Sequence, residues 1–376
     1  MNNSQATKRQ VNTEGAKLYM SFELADKDWK LFFTDGRKER SRGISAGNLG
    51  RLEEEIKKAK DRFGLKGETR VISCYEAGRD GFWLHRYLRE KGIKNWVVDP
   101  SSIEVDRRKR RAKTDRIDGK KLLRLLLRYS WGEKKAWSVV RVPRVEEEDG
   151  RHLHRELETL KKERAMHSNR VRSFLKLHGV SDVQPLRGDF EEYVEGVRLW
   201  DGSGLPLEVK ERLKREHRRL VVVQGQIREL ERKRKEILKG GKERHIEQMM
   251  RLRGIGIESS WKWEKEFFGW RKFHNRREVG ALAGLTPTPY DSGQSRREQG
   301  INKAGNRRVR SMAIEIAWFW IRYQPGSKLT RWFNERYAHG GKRMRRIGIV
   351  AVARRLLIDL WRFLEHGVIP EGAIVE

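Results

Sequence analysis

The sequence is poor in cysteine, in proline and in acidic residues. Its single cysteine, Cys74, excludes an intramolecular disulfide framework and any zinc module built from several cysteines. Only 8 prolines occur among 376 residues. No apolar run approaches the ~18 residues that a membrane-spanning helix needs. The opening MNNSQATKRQ lacks the apolar stretch of a signal peptide. We therefore expect a soluble, cytoplasmic protein.

The shortage of acidic residues leaves a strong positive charge. The chain has 85 Lys and Arg against 53 Asp and Glu, which gives a net charge of +32 at pH 7. A surplus of this size favours a polyanionic partner, most simply nucleic acid. The alternative is a solvated charged surface without a partner, but such surfaces usually balance their signs. The 13 Trp, 8 Tyr and 13 Phe supply side chains for hydrophobic cores, so global disorder is not expected.

The first third of the chain is patterned as an α/β domain. Alternating, aromatic-rich runs at 17–24 and 28–34, separated by a short polar turn, predict a β-hairpin. Further β-rich runs alternate with amphipathic helical periods, which favours a mixed sheet with helices. The predicted elements after the hairpin are a helix over 48–63, a strand over 70–76, a helix over 82–91, a strand over 95–100 and a helix over 115–128.

The middle of the chain is patterned as a long helical hairpin. Apolar residues recur at steps of three and four from Leu153, and Leu213, Leu220 and Ile227 repeat every seven residues. Flanks crowded with Glu, Lys and Arg complete a coiled-coil signature, antiparallel within the chain or between chains. We expect a dimerisation arm or spacer, the alternative being a packed helical layer.

Beyond residue 246 the sequence predicts a compact, mostly helical domain. Five tryptophans are expected to be core or helix-packing residues, the alternative being platforms on which bases stack: Trp261, Trp263, Trp270, Trp318 and Trp320. The turn Gly254-Ile255-Gly256 could grip a phosphate through its backbone amides, although Gly-x-Gly turns are common. The expected division of the chain is a flexible N-terminus over 1–15, an RNase-H-like sheet domain over 16–130, a linker over 131–146, a coiled-coil region over 147–245 and a C-terminal helical domain over 246–376.

Four carboxylates occur where an RNase-H-like sheet would gather them. Glu23 lies within the first predicted strand and Glu76 ends a later one. Asp115 and Asp118 are three residues apart at the start of a helix, so both face one side of its first turn. Such residues also serve simply as helix caps. Oxygen ligands from three elements suit Mg²⁺, and we expect a site for one or two of these ions.

A basic run stands beside the aspartate pair, where a phosphate backbone would pass. The residues expected to bind nucleic acid there are Arg107, Arg108, Lys109, Arg110, Arg111 and Lys113. The ten histidines show no spacing typical of a zinc site, so they are expected to be surface or nucleic-acid contacts. Cys74, within a strand that is expected to be buried, is predicted to be inert.

The order of several motifs along the chain resembles one known family. These motifs are Glu23 in a strand, Glu76-Ala77-Gly78 after a strand, Lys113-Thr114-Asp115-Arg116-Ile117-Asp118, Gly284-Leu285-Thr286-Pro287, Ser292-Gly293, and Lys303-Ala304-Gly305-Asn306 followed by Arg310. In this order they are similar to the insertion-sequence transposases of the IS one-ten family. Those proteins are bridge-RNA-guided DNA recombinases related to the pilin-gene invertases. The resemblance covers about 17–125 and 246–325.

The resemblance implies a RuvC-like domain with a four-carboxylate Mg²⁺ site and a C-terminal transposase domain with a nucleophilic serine. The carboxylates would be the four named above. Family members usually begin this set with Asp in a Gly-Ile-Asp run, whereas this chain has Ser21-Phe22-Glu23, which makes Asp26 the fallback ligand. The extra methylene of Glu23 would move the ligating oxygens and retune or weaken the site.

The serine that aligns with the family's Ser-Gly is Ser292. Its hydroxyl needs activation by a base or a metal, and ordinary turn chemistry is the alternative for an Asp-Ser-Gly sequence. The rival nucleophiles are Ser295 and, more distantly, Ser259, Ser260 and Ser311. By the resemblance, the basic residues that would hold the scissile phosphate are Arg296, Arg297, Lys303, Arg307, Arg308 and Arg310.

The implied function is transposition by RNA-guided, site-specific DNA recombination through a covalent phosphoserine intermediate. The implied partners are a structured guide RNA, donor and target duplex DNA, and further copies of the chain, as a dimer that becomes a tetramer in synapsis. The implied location is the nucleoid of a prokaryotic cell. Two alternatives stay open: a Mg²⁺-dependent RuvC-like nuclease without a covalent serine, and a decayed, non-catalytic RNA- or DNA-binding protein.

Overall fold

The computed structural model describes residues 15–78, 81–103, 115–292 and 295–376, without the side chains of 101, 115–118 and 289–299. The chain divides into two compact units, Met1–Pro143 and Arg144–Glu376. The boundary between them falls inside the stretch that was expected to be a linker. Among the described helices, none combines the length and the apolar character that crossing a bilayer requires.

The first unit contains a mixed sheet, as the sequence predicts, and this sheet has five strands. The strands are β1 (Leu18–Leu24), β2 (Asp28–Thr34), β3 (Glu39–Ser45), β4 (Val71–Glu76) and β5 (Lys94–Val98). Their order is β3-β2-β1-β4-β5, with β1 antiparallel to β2 and parallel to β4. The sequence analysis missed β3, because this edge strand has the charged sequence ERSRGIS rather than an apolar alternation.

Helices cover both faces of this sheet. Helices α1 (Leu49–Phe63) and α2 (Trp83–Glu90) pack on the face that carries Leu18, Met20 and Phe22. Helix α3 (Asp115–Ser130) packs on the opposite face, with Tyr19, Ile72 and Cys74. Alternate residues of β1 therefore serve two cores, which explains why the strand is apolar almost throughout.

Part of the stretch expected to be a linker, 131–146, packs on the sheet instead. Trp137 is 3% exposed and belongs to the core beneath α3. Val139 forms a bridge with Val98 at the end of β5, which adds a short extension to the sheet edge. Aromatic and β-branched residues in this stretch give it enough apolar surface to be buried.

The second unit begins with the predicted helical hairpin. Two long helices, α5 (His152–Leu177) and α7 (Leu207–Lys239), pack along each other through Leu157 and Leu160 on one side and Val223 and Ile227 on the other. The short helix α4 (Val145–Asp149) precedes α5. The short helix α6 (Phe190–Gly196) lies in the connection between α5 and α7. The seven-residue repeat is therefore explained by packing within one chain.

Six further helices and one β-hairpin complete the described part of the second unit. They are α8 (Arg244–Met250), α9 (Ile257–Trp263), α10 (Arg276–Leu282), β6 (Pro287–Ser292), β7 (Ser295–Ile301), α11 (Arg307–Tyr323), α12 (Lys328–Phe333) and α13 (Lys342–His366). A single core holds the helices together, with Trp263, Trp320 and Leu356 each 0% exposed. Trp261 and Trp270 are also buried, whereas Trp318 is 43% exposed and is therefore not a core residue.

Candidate active-site motifs

Glu23 and Glu76 lie side by side in the sheet of the first unit. Strands β1 and β4 are parallel neighbours in which Phe22 pairs with Tyr75, so the next residue of each strand is a glutamate. Ser21 and Cys74 form the preceding pair, on the face covered by α3. Since side chains alternate along strands, Glu23 and Glu76 share this face. The sheet therefore brings two of the four predicted carboxylates together at the same end of two parallel strands.

The start of α3 is anchored to the same face. Ser21 Oγ donates a hydrogen bond of 2.8 Å to the carbonyl of Gly119, which directly follows Asp118. A Cβ atom at Gly119 would lie only 2.0 Å from the ring of Phe32, so no other residue type fits without movement. The backbone of Asp115 and Asp118 opens α3 beside this anchor. Their side chains lie outside the described residues.

The described residues of the first unit do not by themselves assemble the metal site that the sequence predicts. No group of three or more His, Cys, Asp or Glu side chains that could hold a metal occurs in the part of the chain that the structure describes. Glu23 is half-buried and Glu76 is exposed, and Asp26 follows β1 in an exposed bend. Cys74 is buried, and burial together with the charge of Glu76 raises the pKa of its thiol, in keeping with its predicted inertness.

In the second unit, two motif segments interlock through their backbones. Gly284 has a φ of +69°, which favours glycine. A Cβ atom at Gly305 would lie 2.1 Å from the carbonyl oxygen of Leu282 and 2.3 Å from the amide nitrogen of Gly284. Thr286 accepts a hydrogen bond of 3.0 Å from the amide of Asn302. We call the segments Gly284–Pro287 and Lys303–Arg310 the motif frame.

Arg310 closes the motif frame from one side. Its Nη1 atom lies within hydrogen-bond distance of the carbonyl oxygens of Ala283 (3.4 Å), Lys303 (3.1 Å) and Gly305 (3.2 Å). One guanidinium thus connects the second segment of the frame to Ala283, the residue directly before the first segment. Its place in the motif is explained by this contact, and its predicted role in binding phosphate stays a prediction.

The motif frame supports the β6–β7 hairpin, which the sequence analysis did not predict. Ser292 is the last residue of β6 and pairs with Ser295, the first residue of β7. Residues 293 and 294 lie outside the described residues, as do the side chains of both serines and of Arg296 and Arg297. The two rival nucleophiles therefore occupy opposite positions of one strand pair. Strand β7 could not be predicted from apolar periodicity, because its sequence, SRREQGI, is mostly charged and polar.

The other candidate serines belong to helices. Ser259 and Ser260 are 3% and 0% exposed in α9, and the hydroxyl of Ser259 donates to the carbonyl of Gly256. Ser311 is exposed, and its hydroxyl donates to the carbonyl of Arg308. A hydroxyl buried in a helix offers no approach for a phosphodiester, which argues against Ser259 and Ser260. The exposed Ser311 stays a distant rival of the hairpin pair.

The remaining predicted basic residues differ in how they are engaged. Lys303 is exposed and has a φ of +58°, an uncommon value for a residue with a side chain. Arg307 is exposed, whereas Arg308 forms an ion pair of 3.1 Å with Glu158 of α5. The residues that lie outside the described part of the chain are Arg107, Arg108, Lys109, Arg110, Arg111 and Lys113.

Glu266 is a buried centre that the sequence analysis missed. Only 2% exposed, it accepts a hydrogen bond of 2.7 Å from Arg155 and contacts His154 Nε2 at 2.9 Å. Asn306 of the motif frame donates to its other oxygen at 3.2 Å and also caps α11 by accepting from the amides of Arg308 and Val309. No local sequence pattern indicates this role of Glu266, because its partners Arg155 and Asn306 are 111 and 40 residues away in the chain.

The electrostatics of Glu266 favour its charged form. Burial alone would raise the pKa of this carboxyl group, but the hydrogen bonds from His154 and Arg155 outweigh burial and hold the pKa far below the ordinary range. Glu266 lies in a π-helical turn, Glu264–Phe268, which breaks the regular helical register after α9. The Glu266 carboxylate thus links the start of α5, through His154 and Arg155, to Asn306, the residue that caps α11.

Comparisons with known proteins agree with this arrangement. The family model described as Transposase IS116/IS110/IS902 family matches residues 246–332, which span the β6–β7 hairpin and the motif frame. A protein described as putative transposase y4rJ of Sinorhizobium fredii is 40% identical over 378 residues, covering 96% of this chain and 94% of that protein.

Two further relatives are more distant. Putative transposase y4qE of Sinorhizobium fredii is 30% identical over 259 residues, which is 68% of this chain and 60% of that protein. The transposase for insertion sequence element IS1328 of Yersinia enterocolitica is 25% identical over 196 residues, which is 51% of this chain and 57% of that protein. The motif frame and these similarities define a transposase. The chain belongs to the IS116/IS110/IS902 family, whose members recombine DNA in transposition.

Proposed function

We propose that this transposase is an RNA-guided, site-specific DNA recombinase that uses Ser292 as a covalent nucleophile. The observation that carries the proposal is the motif frame, in which Gly284, Gly305 and Arg310 hold the base of the strand pair that ends at Ser292. A reactive hydroxyl needs a fixed position relative to the phosphorus atom, and a frame locked by backbone contacts supplies one. Packing alone would not require so close an approach.

The reaction would exchange one phosphoester bond for another. The Ser292 oxygen would attack the phosphorus atom of a DNA phosphodiester, forming a phosphoserine bond while the bond to the leaving nucleotide oxygen breaks. The serine proton would leave to a base, and the leaving oxygen would take up a proton. Attack by a hydroxyl of the second DNA would reverse these steps and release the serine. Because the bond energy is kept in the intermediate, strand exchange would need no ATP.

The RuvC-like first unit would contribute the carboxylates. Glu23, Glu76, Asp115 and Asp118 would hold one or two Mg²⁺ ions, and hard oxygen donors at the ends of neighbouring parallel strands fit that ion. When bound, Mg²⁺ stabilises the charge that develops on phosphate oxygens. The buried anchor between Ser21 and Gly119 would keep the start of α3 in place for this role.

The partners in the proposal follow from charge and from the helical hairpin. The net charge of +32 would bind a structured guide RNA together with donor and target DNA. Base pairing with the guide would then supply sequence specificity. Helices α5 and α7 would serve as the arm through which copies of the chain form a dimer, and a tetramer in synapsis. In that assembly the carboxylates of one subunit would meet the serine of another.

A covalent-adduct assay tests the proposal. The full chain is incubated with guide RNA, Mg²⁺ and end-labelled cognate DNA, and protein–DNA adducts are resolved on a denaturing gel. We expect an adduct with the unaltered protein and with Ser295→Ala, and none with Ser292→Ala. Asp115→Ala and Asp118→Ala should abolish cleavage while RNA binding persists. An adduct lost only in Ser295→Ala would move the nucleophile.

The same assay separates the rival functions. DNA cleavage without an adduct, unchanged in Ser292→Ala, would identify a metal-dependent nuclease in which water attacks. Nucleic-acid binding without cleavage under any of these conditions would identify a decayed transposase.

A further inference from the structure

A cleft in the second unit contains none of the candidate active-site residues discussed so far except Thr286. It has a volume of about 880 Å³. Helices α10 and α13 form its walls, and the start of α12 and the segment after α13 complete the rim. Trp320 closes its floor, with its indole N–H donating to Ser327 at 2.9 Å. A space of this size accommodates a nucleotide-sized group.

Cations dominate the lining of this cleft. The basic residues are Arg276, Arg277, Lys328, Arg354, Arg355 and Arg362, against the carboxylates of Asp359 and Glu371. Among the described residues, Arg276, Arg277 and Arg354 form no ion pair, whereas Glu371 is already paired with Lys328 at 2.6 Å. Six basic residues against two carboxylates around one cleft leave a surplus of positive charge, so an anionic ligand would stabilise the arrangement.

Packing fixes several of these guanidinium groups in place. Gly280 of α10 leaves room for Arg354, because a Cβ atom there would lie 3.4 Å from the Arg354 side chain. Arg355 lies over the ring of Trp332 at 3.7 Å. Burial, with the nearby cations Arg336 and Arg354, lowers the pKa of Arg355. Held guanidinium groups lose little freedom on binding, and their planar forks match phosphate oxygens.

The cleft also offers apolar surface beside the charges. Leu329, Ile358, Val368 and Ile369 line it, and Val368 and Ile369 are more than half exposed. Apolar contacts suit the sugar or the face of a base, whereas the arginines suit its phosphates. A free inorganic anion would make no use of the apolar part. The combination points to a nucleotide within a strand.

We propose that this cleft binds a strand of nucleic acid by its phosphodiester backbone, next to the motif frame. Thr286 belongs to both the cleft lining and the motif frame, and β6 begins at the following residue. A strand in the cleft would therefore lead toward the β6–β7 hairpin. The inference rests on the proposed function for the source of the strand, which is DNA or RNA.

Binding measurements test the cleft without requiring chemistry. Fluorescence anisotropy with the full chain in EDTA would use three probes: a labelled 20-nucleotide DNA, the RNA of the same sequence, and the DNA duplex. The test variant is Arg277→Gln with Arg354→Gln. The control is Arg228→Gln with Arg232→Gln, two exposed residues of α7 that form no ion pair among the described residues. Both double variants remove the same charge.

We expect the cleft variant to weaken binding about tenfold at ~0.1 M salt. Its slope of log affinity against log salt should fall by about 1.4 for a single strand, because about 0.7 is lost per phosphate contact. For the control variant, the slope should fall by less than half of that decrease. The probe with the largest loss identifies the source of the strand as DNA or RNA. Equal losses in both double variants would overturn the proposal.

A single-residue variant guards against misfolding of the double variant. Asp359 is a carboxylate in the cleft, and burial raises its pKa despite Arg362, Arg355 and Lys328 nearby. Asp359→Asn removes its repulsion of a phosphate, so binding should become about threefold tighter; unchanged or weaker binding would overturn the proposal. If the native protein forms the adduct but the cleft variants bind nucleic acid normally, only the cleft proposal is rejected. If the cleft variants change binding as expected but no adduct forms, only the covalent mechanism is rejected.

Discussion

Each unit of the molecule has a glycine beside a motif residue, at a point where two elements meet too closely for a side chain. Gly119 follows Asp118 in the first unit, and Gly305 precedes Asn306 in the second. What each glycine faces differs. A Cβ atom at Gly119 would meet the ring of Phe32, whereas one at Gly305 would meet the carbonyl oxygen of Leu282 and the amide of Gly284.

This difference sets how firmly each motif is held. A buried ring can shift when neighbouring side chains repack, at a modest cost in free energy. Two backbone segments joined by hydrogen bonds can only separate, which breaks the contacts on both sides. The motif frame of the second unit is therefore the more rigid of the two, as the proposed nucleophilic role of Ser292 would require.

The largest effect is expected for Gly305→Ala. The new methyl group would force the two segments of the motif frame apart and disrupt the hydrogen bonds of Arg310. The free energy of unfolding of the second unit should fall by about 4 kcal/mol, at the upper end for single substitutions. Urea denaturation followed by tryptophan fluorescence measures this change.

The matched control for Gly305→Ala is Gly225→Ala. Gly225 is exposed on α7, and a Cβ atom there would meet nothing within 4 Å. Alanine in a helix is more favourable than glycine by about 1 kcal/mol, so this variant should be slightly more stable. A loss below about 1 kcal/mol for Gly305→Ala would mean that the frame yields easily, and the contrast between the units would disappear.

The second effect concerns the charge that supports the motif frame. Glu266→Gln keeps the shape of the side chain but leaves the charge of Arg155 without its buried partner. We expect a loss of about 2.5 kcal/mol, because hydrogen bonds to charged groups contribute about 1.5–3 kcal/mol and Arg155, whose side chain is 38% exposed, regains part of its solvation. Hydrogen exchange should also accelerate at the amides of Arg308 and Val309, since Asn306 caps them while contacting Glu266.

Glu266 also predicts how stability depends on pH. Its pKa is lowered in the folded protein, so its contribution is complete above the ordinary value of 4.5 and is lost as pH falls below that value. The unfolding free energy of the native chain should therefore decline more steeply below pH 4.5 than that of Glu266→Gln. Parallel curves would show that the carboxylate contributes nothing through its charge.

The control for the hydrogen-exchange prediction is Glu55→Gln, at a buried glutamate of the first unit, which should leave exchange at the amide of Arg308 unchanged.

Sequence patterns predicted most elements because those elements obey local rules. The apolar, aromatic-rich runs of β1 and β2 reflect strands inside a sheet that is covered on both faces. The heptad spacing of Leu213, Leu220 and Ile227 reflects the buried face of α7. Strands β3 and β7 were missed because charged residues fill them, so that their place depends on a neighbouring strand rather than on their own apolar residues.

The candidate site was predictable only in part, for a similar reason. Glu23 and Glu76 could be placed together because one lies within an apolar strand and the other ends one, and the structure pairs those strands in parallel. Glu266 could not be found, because its role depends on His154, Arg155 and Asn306, which are distant in sequence. The contact between Gly284 and Gly305 likewise exists only once the chain has folded.

The third effect tests the glycine of the first unit. Gly119→Ala would place a methyl group against Phe32, which must turn or move within the core. We expect a loss of about 2 kcal/mol, less than for Gly305→Ala, because a side chain can repack. Adding Phe32→Leu should restore part of this loss by making room. No recovery would show that the backbone of α3, rather than the ring, limits the approach.

The smallest effect is expected for Ser21→Ala, which removes one buried hydrogen bond of 2.8 Å to the carbonyl of Gly119. The loss should be about 1 kcal/mol, the net contribution of a typical hydrogen bond. Ser73→Ala is the control, because it removes a bond of similar length, 2.7 Å, to Asn95 away from α3. Hydrogen exchange at the amides of 120–123 should accelerate only in Ser21→Ala. Equal exchange in both variants would show that the start of α3 does not depend on Ser21, and that the first unit positions its aspartates through the Gly119 contact alone.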